Sequence, residues 1–79
     1  MESASVLNDN TENPTYLKCD VELELVGPMT ALVDKTAAEV LRALADRIEK
    51  GEFQDGFTDV ADKTGRRVGT IYVDYSGGD

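Results

Sequence analysis

From Tyr16 to Val26 the chain alternates. Leu17, Cys19, Val21, Leu23 and Leu25 stand against Lys18, Asp20, Glu22 and Glu24. A period of two, with one oily face and one charged face, is the pattern of a half-buried antiparallel strand. Gly27-Pro28 ends it as a turn. The weaker alternation of Met29 to Val33 predicts a returning second strand and so a hairpin. The period then changes: at about 100° per residue, Ala37, Val40, Leu41, Leu44 and Ile48 form one stripe, with Glu39, Arg42, Asp46 and Glu49 opposite. Thr36 with Glu39 three residues on reads as a capping box, Asp46 and Lys50 as an i,i+4 ion pair, and Gly51 as the C-terminal stop. These signals predict a helix over Thr36–Lys50. Beyond it, Phe57 to Asp62 predicts a third strand, Lys63-Thr64-Gly65 a tight turn, and Arg67 to Tyr75 a fourth strand. In that last strand Ile71, Val73 and Tyr75 share one face, while Val68 and Tyr72 take the other. Gly69 in its middle predicts a bulge or a close backbone approach. The fold class expected is α+β in the order β-β-α-β-β, one helix packed on a four-stranded, mainly antiparallel sheet.

Composition narrows the chemistry. The sequence has 79 residues, which suits a single domain over residues 16–75. Residues 1–15 are polar, with three acids and no base, and are expected to form a disordered arm; residues 76–79 are expected to form a flexible tail. Sixteen acidic residues against eight basic ones give a formal charge of −8. Such an acidic chain argues against direct binding to a nucleic-acid backbone. There is no histidine and a single cysteine, so an internal disulfide, a Cys/His zinc site and a Ser-His-Asp mechanism all lack their parts. No basic, apolar leader opens the chain and no apolar run exceeds three residues, which predicts a cytoplasmic protein with no membrane partner.

Several groups of residues carry candidate chemistry. Asp20, Glu22 and Glu24 fall on one strand face roughly 6.5–7 Å apart. That spacing meets the window of an inverting glycosidase pair, about 6.5–9.5 Å, but catalysis also needs a cleft that raises one carboxyl pKa. A wet sheet face in a small chain does not build one, so no enzyme activity and no cofactor are expected. The same ladder resembles a row of phosphates, and Asp55, Asp59 and Asp62 add a second acidic segment. Solubility and protection of an edge strand are the plainer uses of these acids. Asp59 to Gly65 does not keep the calcium-loop frame, since Ala61 and Lys63 stand where oxygen ligands are needed. Cys19 lies in the oily phase of the first strand and is expected to be a buried, inert thiol. Most of the aromatic residues should serve the core, and Tyr72 is the best candidate for an interface anchor.

Two resemblances follow from particular residues. The β-β-α-β-β order with Ser76-Gly77-Gly78 resembles the ubiquitin-like, β-grasp modifiers, whose terminal glycine is activated; here Asp79 follows and would have to be trimmed. The run Leu41 to Glu52, followed by Asp62-Lys63-Thr64-Gly65-Arg66-Arg67-Val68-Gly69, resembles the short acidic proteins of bacteriophages and prophages. Some of those are anti-CRISPR or other anti-defence inhibitors, several of them nucleic-acid mimics. The resemblance spans roughly Thr36 to Tyr75 and implies a non-enzymatic inhibitor. In that reading, Asp20, Glu22, Glu24, Asp55, Asp59, Asp62 and Tyr72 would engage a basic, nucleic-acid-binding groove of a host complex. The alternative expectation is a small self-associating module, pairing through a sheet face or an edge strand.

Overall fold

The structure, a computed structural model, describes residues 14–77. Its elements are β1 (Thr15–Leu23), α1 (Thr30–Glu49), β2 (Gly56–Ala61) and β3 (Arg67–Gly77). The sheet has three strands in the order β1-β3-β2, and β3 is antiparallel to both neighbours. The class is α+β, but the expected four-stranded β-β-α-β-β sheet is corrected to β-α-β-β. With one strand fewer, the topological part of the β-grasp resemblance falls away. The expected arm lies outside the described residues up to residue 13, and Thr15 already belongs to β1. Of the expected tail, Ser76 and Gly77 pair with Tyr16 and Thr15, and residues 78–79 lie outside the described residues.

The missing strand became helix. Met29 to Val33 was expected to return alongside the first strand, yet α1 begins at Thr30. The reason is visible in the stripe: Val33 stands four residues before Ala37 and extends the apolar face through Val40, Leu44 and Ile48. Thr36 and Glu39 therefore lie inside the helix rather than at its cap. Met29 is the N-cap, in extended conformation and with no side-chain hydrogen bond, and Gly27-Pro28 separates the helix from β1. The C-terminal end matches the expectation closely. The Gly51 N–H donates to the Ile48 carbonyl at 3.0 Å and the Glu52 N–H to the Arg47 carbonyl at 3.0 Å, a Schellman closure. It requires the left-handed backbone that Gly51 adopts, φ +71°. Lys50 Nζ meets Asp46 at 3.0 Å, as the i,i+4 spacing predicts.

Val40 and Leu44 of α1 pack with Phe53, Val60, Val68, Ile71 and Val73 to make the core, and Leu23, Leu25 and Ile48 pack around it. Simple alternation puts Val68 on the face opposite Ile71 and Val73, but Val68 is buried with them. Val60 is paired with Gly69 whereas Ala61 is paired with Arg67, so Val68 is an extra residue in β3, a bulge that turns its side chain inward. Gly69 permits this: a Cβ there would stand 1.9 Å from the Glu22 carbonyl oxygen. Both readings of Gly69, bulge and close approach, hold at once.

Candidate functional site

The helix covers one face of the sheet, and among the described residues the other face is open. Paired residues on neighbouring antiparallel strands share a face, so the register assembles the open face row by row. Asp20, Tyr72 and Phe57 form one row; Glu22, Thr70 and Asp59 form the next; Lys18 and Asp74 lie beyond the first. The rings of Phe57 and Tyr72 stand 4.8 Å apart, centroid to centroid, tilted by 46°. Phe57 is 75% exposed, so this aromatic pair is a surface feature and not part of the core. Around it lies a shallow depression lined by Lys18, Asp20, Glu22, Phe57, Thr70 and Tyr72. An aromatic floor ringed by carboxylates suits a guanidinium or ammonium group, which gains cation–π attraction from the ring and charge-assisted hydrogen bonds from the rim.

The acidic residues named from the sequence separate into two sets. Asp20, Glu22, Asp59 and Tyr72 meet on the open face, and Glu24 continues the β1 ladder past the strand end, its N–H donating to the Val68 carbonyl at 2.8 Å. Cations already answer two of these acids. Lys18 lies 3.9 Å from Asp20, and Arg67 Nε donates to Asp59 at 3.1 Å. Asp55 and Asp62 are engaged elsewhere. Asp55 accepts the Tyr75 N–H at 2.9 Å, tying the approach to β2 onto β3. Asp62 organises the β2–β3 turn: one carboxylate oxygen accepts the Thr64 hydroxyl at 2.6 Å, the Thr64 N–H at 2.9 Å and the Arg66 N–H at 3.1 Å. The Thr64 hydroxyl bond, with the amides and the Arg66 charge adding to it, holds the Asp62 carboxyl below its ordinary acidity range. Asp62 thus serves a hairpin turn rather than a calcium loop. Among the described residues no group of three or more acidic or cysteine side chains is placed to hold a metal ion.

Phe57 and Asp74 join the site although the sequence reading did not select them. The signal for Phe57 was its phase: in β2, Val60 is inward, so Phe57 and Asp59 point the other way. Cys19, expected to be buried, is exposed. No helix among the described residues is long and apolar enough to cross a membrane. Comparison of the chain with protein-family models, curated proteins and solved structures finds no match that reaches significance.

Proposed function

We propose that the protein is a non-enzymatic binding module whose open sheet face docks onto a basic protein surface of the kind that grips nucleic acid. By filling that groove it would act as an inhibitor, as the resemblance to anti-defence proteins of phages implies. The observation that carries this reading is the exposed Phe57–Tyr72 pair set among Asp20, Glu22, Asp59 and Asp74. Each part has a role in it. The β1 carboxylates stand at intervals that follow a nucleic-acid backbone, and the aromatic pair supplies the apolar centre that holds a partner once long-range attraction has brought it in. The cations Lys18 and Arg67, each beside an acid of the same face, limit the charge to what a specific partner can match.

The test is capture of lysate proteins from the source cells on the immobilised protein. Glu22→Lys with Glu24→Lys, and separately Phe57→Ala, serve as controls. A partner of this kind is released as salt rises, because exposed charges are screened within about 8–10 Å at ordinary ionic strength. It is also displaced by added nucleic acid, and it is not retained by the double charge reversal. A partner retained equally by both variants, and indifferent to nucleic acid, rules the reading out.

A further inference from the structure

Among the described residues, strand β1 is an edge of the sheet, and its helix-side face is bare from Leu17 to Val21. Leu17, Cys19 and Val21 pair with Tyr75, Val73 and Ile71, so their side chains lie on the face that carries α1. Yet Leu17 is 45% exposed, Val21 40% and Tyr75 37%. The helix sits away from them. Glu39 of α1 reaches Lys63 in the β2–β3 turn at 3.9 Å, and Leu41, about 200° further round the helix, points to the β1 side, where it is 47% exposed. An apolar strip with one wall and no roof therefore runs along β1.

Among the described residues, the backbone of the same strand has no partner on its outer side. The Glu24 N–H is bonded to Val68, and the Glu22 carbonyl is directed at Gly69. In an antiparallel ladder the bonding residues alternate, so the even-numbered residues of β1 face β3. The N–H and C=O groups of Leu17, Cys19 and Val21 face outward from the edge. An alternating, unpaired edge of this kind is a template for another strand.

The geometry points to a second copy of this chain as that strand: two β1 strands pair antiparallel about a two-fold axis at Cys19, joining two three-stranded sheets into one. β1 runs from Thr15 to Leu23 with Cys19 at its centre, so the register that pairs the whole strand places Cys19 opposite Cys19. It then sets Leu17 opposite Val21 on the helix side. On the open side it sets Lys18 opposite Asp20, twice by symmetry. Of the neighbouring registers, one brings Lys18 opposite Lys18, where like charges repel. The other brings Asp20 opposite Asp20 and Lys18 opposite Glu22, and each of the two leaves two residues of β1 without a partner. Full pairing of the nine-residue strand therefore selects the register about Cys19, and it is the one in which the charges facing each other there are unlike. In the dimer the two bare strips meet between the two helices. An isologous contact of this sort closes on itself and leaves no further edge from β1.

The experiment is light scattering on the full chain from low to high micromolar concentration, with a short thiol cross-linker at Cys19, for Lys18→Asp, Asp20→Lys and the two combined. These side chains are exposed, and circular dichroism checks that each variant folds. The expected result is a dimer cross-linked through Cys19. Each single reversal should weaken it about five- to tenfold, as two like-charge pairs replace two unlike ones, and the combined variant restores it. A monomer throughout overturns the proposal, including a monomer whose Leu17, Cys19 and Val21 amides resist exchange, which would give the edge to residues 1–13. A dimer insensitive to both single reversals, or one the combined variant fails to restore, overturns it too. These measurements read mass and not partner capture, so the dimer and the open-face docking site stand or fall separately.

Discussion

Val21 and Ile71 are cross-strand neighbours on the same face of the sheet, yet one is 40% exposed and the other 1%. The difference is where the helix lies. Over β2 and β3 the face is sealed by Val40 and Leu44, with Phe53 tucked in below Arg47, whose guanidinium carbon stands 4.5 Å from the ring centre. Over β1 only Leu23 reaches this core, and nothing among the described residues closes the face over Leu17, Cys19 and Val21. β1 has the cleanest alternation in the chain and the least buried side chains. Alternation therefore reports which face of a strand is apolar; the position of the next layer decides whether that face is dry.

The sharpest way to break this contrast is Gly69→Ala. The added Cβ would meet the Glu22 carbonyl at 1.9 Å, a backbone group that cannot swing aside. β1 should separate from β3 at a cost of about 3 kcal/mol or more, read as loss of the cooperative melting transition; a variant that melts like the parent would mean the strands are not so close. Next come paired truncations of the two neighbours, measured by urea unfolding at low protein concentration. Ile71→Ala, in the sealed flank, should cost about 2–5 kcal/mol, and Val21→Ala, in the bare flank, less than about 1 kcal/mol. Equal losses would show that β1 is covered within the monomer.

Smaller again is Gly51→Ala, expected to cost about 1 kcal/mol because an alanine must hold φ near +71° there. The loop it closes carries Phe53 into the sealed flank, so amide-exchange changes should centre there and spare β1. The smallest effect is at the β2–β3 turn. The Asp62 carboxyl is held below its ordinary value of 3.8 by the Thr64 hydroxyl, the Thr64 and Arg66 amides and the Arg66 charge. Its contribution to stability is therefore present above that ordinary value and is lost as pH falls through the lower folded one. Amide exchange at Thr64 and Arg66 should quicken on acidification relative to the core strands, and Asp62→Ala should show the same loosening at neutral pH. Unchanged exchange in that variant would remove Asp62 from the turn's support.

Much of the local structure was legible in the residues. The β1 alternation, the helix stop at Gly51, the Asp46–Lys50 pair and the hairpin over Asp62 to Gly65 are short-range matters of period, capping and turn chemistry, and the molecule has them. Met29 to Val33 reads as a strand although α1 starts at Thr30, because five residues hold too few periods to tell a strand from the first turns of a helix. Its true identity appears only when Val33 is placed on the stripe with Ala37 and Val40. The acids were legible as a class but not as a site. Asp20, Glu22 and Asp59 meet because β3 runs between β1 and β2, a strand order that no local pattern encodes, while Asp55 binds the β3 backbone at Tyr75 and Asp62 its own turn.

The residue order by itself determined the faces: which side chains of β1, α1, β2 and β3 are oily, where the helix stops and where the hairpin turns. Tertiary structure decided coverage. The bulge at Val68, the close approach at Gly69 and the seat of α1 over β2 and β3 set which apolar faces became core and which stayed at the surface. The physical reason is that periodicity is a property of one segment, whereas burial belongs to two segments at once and depends on how they are placed.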